Sequence, residues 1–388
     1  MLKILHLMLA CFYIDNYAYQ ENLLPKYHKL AGYDVEIIAS PFNYDNKGDI
    51  VWEKQKRHYI NENGIPVTRI MFRKGKLSKR LRKYDGLYNE LERSAPDVIF
   101  VHGVQFSDVS VLCRYLKKHP EVKMYADSHT DEINSAHGWV SRRILHGVIW
   151  KYYADMLSKK AEKVFGVTPN RCLFLEQVYK LPKEKVELLI MGLDEKEADV
   201  ENRASIRFKT REKYGISDRT FLILSGGKID RNKKVMELMQ AFSSIRKEDC
   251  KLIIFGAPDK DTSQEYMELC KNPNIINVGW ISPKESYNLM LSSELGVFPG
   301  THSVLWEQAV GCGLPCIFRK WEGMDHVDAG GNCLFVNEGS VQEIEQVLLK
   351  ILDDALIYEN MKNAAQRVSR QFYYSNIAKR AIGQNPDD

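Results

Sequence analysis

Short apolar runs alternate with helical stretches along almost the whole chain, and one polar segment interrupts them. Lys3–Met8, Asp34–Ala39, Asp97–Val101, Lys123–Ala126, Lys163–Gly166 and Val186–Ile190 read as strands. Between them, Gln20–Leu30, Asp108–Lys118 and Val140–Ala161 carry apolar residues at helical spacing. This alternation predicts a parallel sheet, because parallel strands need a crossover and a helix is the usual one. The pattern stops at the polar, charged segment Glu195–Lys213 and restarts with the strand Phe221–Ser225. Leu252–Phe255, Ile275–Val278, Leu295–Phe298, Pro315–Phe318 and Leu334–Val336 continue as strands, with helices at Met236–Ile245, Gln264–Lys271 and Val341–Leu352.

The expected fold class is therefore α/β, with two Rossmann-like domains whose parallel sheets face a cleft. The boundaries are 1–195 for the first domain, 196–213 for a linker and 214–370 for the second domain. From the two-domain fold, and not from periodicity, a C-terminal helix in 371–388 is expected to return to the first domain. A chain of 388 residues suits such a division. Hydrophobic residues at 44% and charged residues at 27% exclude a disordered chain, a collagen and a coiled coil. A net charge of +4 argues against a nucleic-acid binder that uses its whole surface. The apolar run Ile4–Cys11 contains His6 and is too short to span a bilayer, so no transmembrane helix is expected. Met8-Leu9-Ala10-Cys11 only faintly resembles a lipoprotein cleavage site, with a single Lys3 before it, and reads as a buried first strand. Eight scattered cysteines without a C-x-x-C pair read as reduced thiols of a cytoplasmic protein.

Two loops carry candidate chemistry. Ser225-Gly226-Gly227-Lys228-Ile229-Asp230-Arg231-Asn232-Lys233-Lys234 follows a strand and precedes a helix. Glycine lets a ligand approach the backbone, and Lys228 and Lys233 are placed to meet one diphosphate. The competing reading is a solvated basic loop. Neither a Walker loop nor a G-x-G-x-x-G turn is present. In the second loop, Phe298-Pro299-Gly300-Thr301-His302-Ser303 leads a short helix carrying Glu307. Thr301 and Ser303 are candidate N-caps, and Glu307 suits either a ribose diol or the helix dipole.

These segments resemble the group 1 glycosyltransferases, retaining enzymes of GT-B fold. Gly227-Lys228 followed by Lys233 is similar to their G-R-L-x-x-x-K element, and Glu307-Gln308-Ala309-x-x-Cys312-Gly313-Leu314-Pro315 to E-A-x-A-x-G-x-P. Met191-Gly192-Leu193-Asp194 resembles N-G-V-D, Asn277-Val278-Gly279-Trp280 resembles V-x-F-L-G, and Ala329–Phe335 resembles D-G-x-x-G-x-L-V. The resemblance implies that Gly279, Trp280 and Ile281 border the nucleotide base and that Glu307 holds the ribose. It implies that Lys228 and Lys233 neutralise the donor diphosphate, with no metal or other cofactor required. His129, in Asp127-Ser128-His129-Thr130-Asp131, matches the family histidine that faces donor sugar and acceptor; His102 ends a neighbouring strand on the same side.

The sequence departs from the family at three places. Lys228 stands where arginine is usual, which keeps the charge and loses the fork. Pro299 stands where the first glutamate of E-x7-E belongs, in a loop about four residues shorter, so Gly300, Thr301, His302 and Ser303 become the candidates for the sugar contact. The glycine-rich loop after the first strand is replaced by Phe12–Glu21, whose Tyr13, Asp15 and Tyr19 suit a sugar acceptor or, equally, a helix lead-in.

Residues 73–83 hold seven basic residues and no acid, with Leu77, Leu81 and Tyr84 at helical spacing. Trp139, Arg142, Arg143, Trp150, Lys151, Tyr152 and Tyr153 form a second basic-aromatic stretch. With the resemblance, these imply an anionic membrane surface or a lipid-diphosphate acceptor rather than nucleic acid. The function that follows is a metal-independent, retaining glycosyltransferase. It takes a UDP- or GDP-linked donor and a saccharide or lipid-linked acceptor, and it sits peripherally on the inner face of the cell membrane, in cell-surface polysaccharide or glycoconjugate synthesis. A non-catalytic partner of the same fold and a nucleotide-sugar epimerase are the alternatives.

Overall fold

The structure, a computed structural model, describes residues 1–44, 50–75, 77–130 and 141–385. It divides into two compact units, Met1–Ile190 with Tyr374–Asp388, and Met191–Tyr373.

The first unit contains β1 (Lys3–Met8), α1 (Gln20–Leu30), β2 (Asp34–Ala39), β3 (Phe42–Tyr44), β4 (Ile50–Trp52), β5 (Arg57–Ile60) and β6 (Pro66–Arg69). It continues with α2 (Leu87–Ser94), β7 (Val98–His102), α3 (Val109–Lys118), β8 (Lys123–Ser128), α4 (Lys151–Ser158), β9 (Lys163–Gly166), α5 (Pro169–Gln177) and β10 (Val186–Leu188). Its sheet runs β10-β9-β8-β7-β1-β2-β6-β5 and is parallel except at β5–β6. Leu5, Leu7, Ile99, Val101, Leu112 and Val164 fill its main core. Each such side chain contributes about 1.5–3 kcal/mol when fully buried.

The second unit contains α6 (Glu195–Ala198), α7 (Arg203–Lys213), β11 (Phe221–Gly226), α8 (Val235–Ser244), β12 (Cys250–Phe255), α9 (Ser263–Leu269), β13 (Ile275–Gly279) and α10 (Pro283–Ser292). Then come β14 (Leu295–Phe298), α11 (Leu305–Gly311), β15 (Cys316–Arg319), β16 (Cys333–Val336), α12 (Val341–Asp353) and α13 (Ala355–Val368). Its sheet is parallel throughout, in the order β13-β12-β11-β14-β15-β16. The last helix, α14 (Tyr374–Ala381), belongs to the first unit. There Tyr374 packs on Tyr27, and Tyr33 donates to Gln384 at 2.8 Å.

Strand order changes direction between β1 and β7 in one sheet and between β11 and β14 in the other. Ligands of open α/β sheets bind beyond the carboxyl ends of the strands at such points. The loops to examine are therefore those after β1 and β7, and those after β11 and β14.

Three expectations need correction. Residues 196–213 are not a linker: they form α6, the 3-10 turn Val200–Asn202 and α7, all within the second unit. The polar sequence folds because its arginines satisfy buried acceptors. Arg211 donates to Ser292 O at 2.9 Å and Glu294 Oε2 at 3.1 Å, and Arg207 to Ser292 O at 2.7 Å. Such a pair is expensive to bury unless it is well hydrogen-bonded; here the Arg211 Nη groups are bonded and its Nε is left without a partner. The stripe 73–83 is not a helix. Its described residues form turns closed by the Phe72–Tyr84 bridge, and Arg82 takes a positive φ of 51°. The helical stretch Val140–Ala161 is a π-helical segment Ser141–Trp150 followed by α4. Trp139 of the second basic stretch lies outside the described residues.

All eight cysteines are free thiols. Among the described residues, no helix is long and apolar enough to cross a membrane.

Candidate active site

In the second unit, the loops after β11 and β14 are fastened together. Asp230 accepts from the amides of Asn232 at 2.9 Å and Lys233 at 3.2 Å, folding residues 231–233 into a 3-10 turn. That turn aims Lys233 at the other loop, where Nζ donates to Thr301 O at 2.7 Å and His302 O at 3.2 Å. Thr301 N donates back to Asn232 O at 2.9 Å. Gly300 fits only because it has no side chain: a methyl there would lie 2.3 Å from Asn232 O and 2.4 Å from Lys233 Cα. The space left between the loops is about 10 Å³, room for no more than a water. A ligand must therefore sit on the outer side of this pair.

An ammonium has three donors, so Lys233 has one left after its two carbonyls. Burial lowers its pKa, with Asp230 opposing and Lys228 adding repulsion. Lys228 pairs with Asp230 at 3.1 Å and stays exposed, its side chain at 71%. Two expected backbone donors are spent: Gly227 N donates to Phe255 O at 3.0 Å, and Thr301 N is used as above. The N-cap expectation fails as well. Helix α11 is capped by Val304, and neither Thr301 nor Ser303 caps it. Gly279 ends β13 with φ +76°, and its carbonyl accepts from Gly256 N at 2.7 Å. Trp280, next to it, is 80% exposed, with half-buried Ile281 beside it.

Glu307 is completely buried. Its Oε1 lies 2.8 Å from Nε2 of both His302 and His326, and its Oε2 has no partner. Burial raises the carboxyl pKa, but the two imidazoles outweigh it and hold the group well below the ordinary range. The carboxylate thus orders two imidazoles and has no open face for a ribose diol in this arrangement. The trio's ligand atoms lie within 4.8 Å of one another, the spacing of a two-histidine, one-carboxylate cation site. Metal-bound histidines normally donate through their second nitrogen, and Nδ1 of His326 has no partner. The geometry fits a hydrogen-bonded clamp better than a metal centre. His326 follows no motif, and nothing in the sequence marks it.

In the first unit, the loops after β1 and β7 open into a cavity of about 390 Å³ lined by Ala10, Cys11, Glu21, Arg80, Arg82, Gly103, Gln105, His129, Thr130, His146 and Trp150. His129 is on its wall, with its side chain 31% exposed and Nε2 at 3.6 Å from Asp127 Oδ2 and 4.0 Å from Glu21 Oε1. Burial lowers its pKa, but Glu21 and Asp127 raise it further, and the net direction is up.

The other acceptor candidates are placed differently. Tyr13 is buried core, and its hydroxyl accepts from Asn61 at 2.8 Å. Asp15 accepts from Tyr59 at 2.8 Å and meets Arg69 at 3.4 Å, which commits it to the fold. His102 is fully buried, bonded to His6 at 2.9 Å and Asp127 at 3.1 Å, and does not reach a ligand. Tyr19 is exposed at the start of α1. Arg82, counted in the basic stripe, instead donates to Ala10 O and, at 2.8 Å, to Gln105 O. Glu21 lines the cavity, Asp127 stands 3.6 Å from His129 and His6 backs His102, and the motifs gave none of these three a role. His6 alone carried a signal, as a polar break in an apolar strand.

Residues 206–368 match the family described as glycosyl transferases group 1. An uncharacterised glycosyltransferase, MJ1607, of Methanocaldococcus jannaschii is 22% identical over 351 residues, 84% of this chain and 85% of the relative. The serotype-specific mannosyltransferase WbdA of Escherichia coli is 21% identical over 245 residues, 60% of this chain and 30% of the relative. The crystal structure of Anabaena HepE with UDP superposes with a TM-score of 0.66 at 14% identity, covering 98% of each chain, which shows the shared GT-B fold.

Proposed function

We propose that this chain, which belongs to the group 1 glycosyltransferases, is a retaining enzyme that moves a sugar from a UDP- or GDP-linked donor to a saccharide or lipid-linked saccharide. The reading rests above all on one observation: Lys233 fastens the two loops at the switch point of the second sheet and keeps one donor, while Lys228 and Trp280 stay exposed beside them. The donor diphosphate meets Lys228 and the free N–H of Lys233, and the base stacks on Trp280 beside Gly279 and Ile281. That HepE was crystallised with UDP supports a uridine donor. With Glu307 closed and the Thr301 backbone engaged by Lys233 and Asn232, the ribose and sugar contacts fall to His302, Ser303 and Gly300.

The bond from the sugar's anomeric carbon to the diphosphate oxygen breaks first, and the leaving charge is met by the two lysines. The acceptor hydroxyl attacks the same face, and its proton passes to a donor phosphate oxygen. Because the lysines supply the positive charge, no metal is needed. His129 and Glu21 receive the acceptor in the cavity of the first unit. The name of WbdA, a serotype-specific mannosyltransferase, supports a role in surface polysaccharide synthesis. The exposed bases Lys74 and Arg80 support a peripheral seat on an anionic membrane.

A second reading has one observation in its favour. Pro299 replaces the first glutamate and Glu307 is closed, as a non-catalytic partner of the same fold would tolerate. A thermal-shift screen against UDP, GDP, ADP, CMP and their sugar conjugates, with and without EDTA, separates the two. A nucleotide at 100 times its Kd adds about 2.7 kcal/mol. A shift that survives EDTA, with release of free nucleotide from the conjugate, is the expected result. Binding without release supports the partner reading, and no shift at all removes the Lys228–Lys233 site.

A further inference from the structure

Three histidines and an aspartate form a single buried file in the first unit. Nε2 of His28 lies 2.8 Å from the Ala378 carbonyl oxygen. Nδ1 of His28 is 3.0 Å from Nε2 of His6, and Nδ1 of His6 is 2.9 Å from Nε2 of His102. Nδ1 of His102 is 3.1 Å from Asp127 Oδ2. All four side chains are buried.

With His28 and His6 neutral, as their burial favours, the carbonyl at one end fixes the direction of each bond that follows. It only accepts, so Nε2 of His28 carries a proton. A neutral imidazole has one donor and one acceptor, so Nδ1 of His28 accepts and Nε2 of His6 donates. By the same step, Nδ1 of His6 accepts and Nε2 of His102 donates. At the far end Nδ1 of His102 faces a carboxylate, which as an anion also only accepts. The file is satisfied only if it holds one proton beyond neutral imidazoles and an ionised aspartate. Asp127 is further bonded as a carboxylate: Gly103 N donates to Oδ1 at 3.0 Å and Gln20 Nε2 to Oδ2 at 3.3 Å.

We propose that the Ala378 carbonyl, acting through His28 and His6, sets His102 as an imidazolium paired with Asp127, and that this pair positions and tunes His129 at the cavity. His102 is a positioning residue: it reaches no ligand, and it acts through Asp127, which stands 3.6 Å from Nε2 of His129. The pair also removes the cost of burying Asp127 as a lone anion. The extra proton belongs at this end of the file. Burial and the neighbouring imidazoles lower the pKa of His6, and burial holds His28 at about 4. Among the described residues, the titratable and charged groups that face the pair and His129 are His6 on β1, Cys11 after it, Glu21 and His28 on α1, and Arg171 on α5, with Arg80, Arg82 and His146 on the same cavity wall as His129. Because Ala378 lies on α14, the docked C-terminal helix determines the charge of a residue 276 positions earlier (378 − 102). The proton assignment does not depend on the glycosyl-transfer reading.

The test is imidazole 15N NMR on the full chain near neutral pH, with the His102 signals assigned by their loss in His102→Gln. Both nitrogens of His102 are expected to be protonated in the wild type, while His6 and His28 each show one bare nitrogen. His28→Gln keeps a donor for Ala378 and an acceptor for His6, so His102 stays doubly protonated. His28→Leu removes the anchor and lets His6 reverse its tautomer. His102 then loses one proton, and His129, facing an aspartate no longer neutralised, titrates at higher pH than in the wild type. A bare nitrogen on His102 in the wild type overturns the proposal, as does an unchanged His102 and His129 in His28→Leu. If His28→Leu does not fold, the wild type and His28→Gln decide it: a doubly protonated His102 in both upholds it, and a bare nitrogen in either overturns it.

Discussion

The Lys233 ammonium donates to the Thr301 carbonyl at 2.7 Å, joining the loop after one strand of the second sheet to the loop after its neighbour. The same group is the proposed stabiliser of the leaving diphosphate. Lys233→Ala is therefore expected to lower kcat/KM by about 10²–10³-fold. An unchanged rate with intact nucleotide binding would remove the lysine from the mechanism and leave it a loop fastener.

Gly300 is the steric counterpart of that bond. Its missing side chain admits the Lys233 backbone, so Gly300→Ala must push the loops apart. The expected loss is about 1–3 kcal/mol of unfolding free energy, typical of overpacking, together with weaker UDP binding. Urea unfolding and calorimetric titration with UDP read the two effects. Full stability in the alanine variant would show that the loops separate freely.

Trp280 is an exposed ring beside the turn at Gly279. If the nucleotide base stacks there, Trp280→Ala costs about 1–3 kcal/mol of nucleotide affinity, the usual worth of a base on an aromatic ring. Protein stability should hardly change, because the ring packs little. Equal UDP affinity in wild type and variant would move the base elsewhere.

Glu307 supplies a pH dependence with a definite sign. Its two histidines hold the folded-state carboxyl below the ordinary value. A lowered folded-state pKa contributes stability above the unfolded pKa, and that contribution is lost as pH falls through the folded value. The stability advantage of wild type over Glu307→Gln should shrink between about pH 5 and about pH 3 in urea titrations. A difference that stays constant over this window would mean that the carboxyl is not held down by its clamp.

The turn region 73–83 offers exposed bases at Lys74 and Arg80, whereas Lys79 lies over the Trp52 ring and Arg82 is tied to backbone carbonyls. Each exposed charge is worth about 1 kcal/mol at an anionic bilayer. Reversing both, Lys74→Glu with Arg80→Glu, should sharply reduce co-sedimentation with phosphatidylserine vesicles and leave binding to neutral vesicles unchanged. Equal co-sedimentation of the double variant and the wild type counts against a membrane seat here.

Alternation of apolar strands and amphipathic helices was enough, by itself, to place two α/β sheets with parallel centres, but not the short strands β3, β4, β5 and β6 or the antiparallel β5–β6 edge. It also set the loop carrying Lys228 and Lys233, and the helix carrying Glu307, just beyond strand ends, because strand and helix periods are local properties of the chain. Locality also explains the failures. The segment 196–213 looked like a linker because its folding depends on Arg207 and Arg211 finding Ser292 and Glu294, far along the chain. Tyr13 and Asp15 looked available because nothing nearby announces Asn61, Tyr59 and Arg69. Glu307 looked open because His326 stands 19 residues away. The file from Ala378 to Asp127 joins residues 350, 22, 96 and 25 positions apart. Spacing within a segment says which face a side chain occupies. Only the packed tertiary structure decides which distant donor or acceptor it meets there, and in a buried, low-dielectric site that partner determines charge and role.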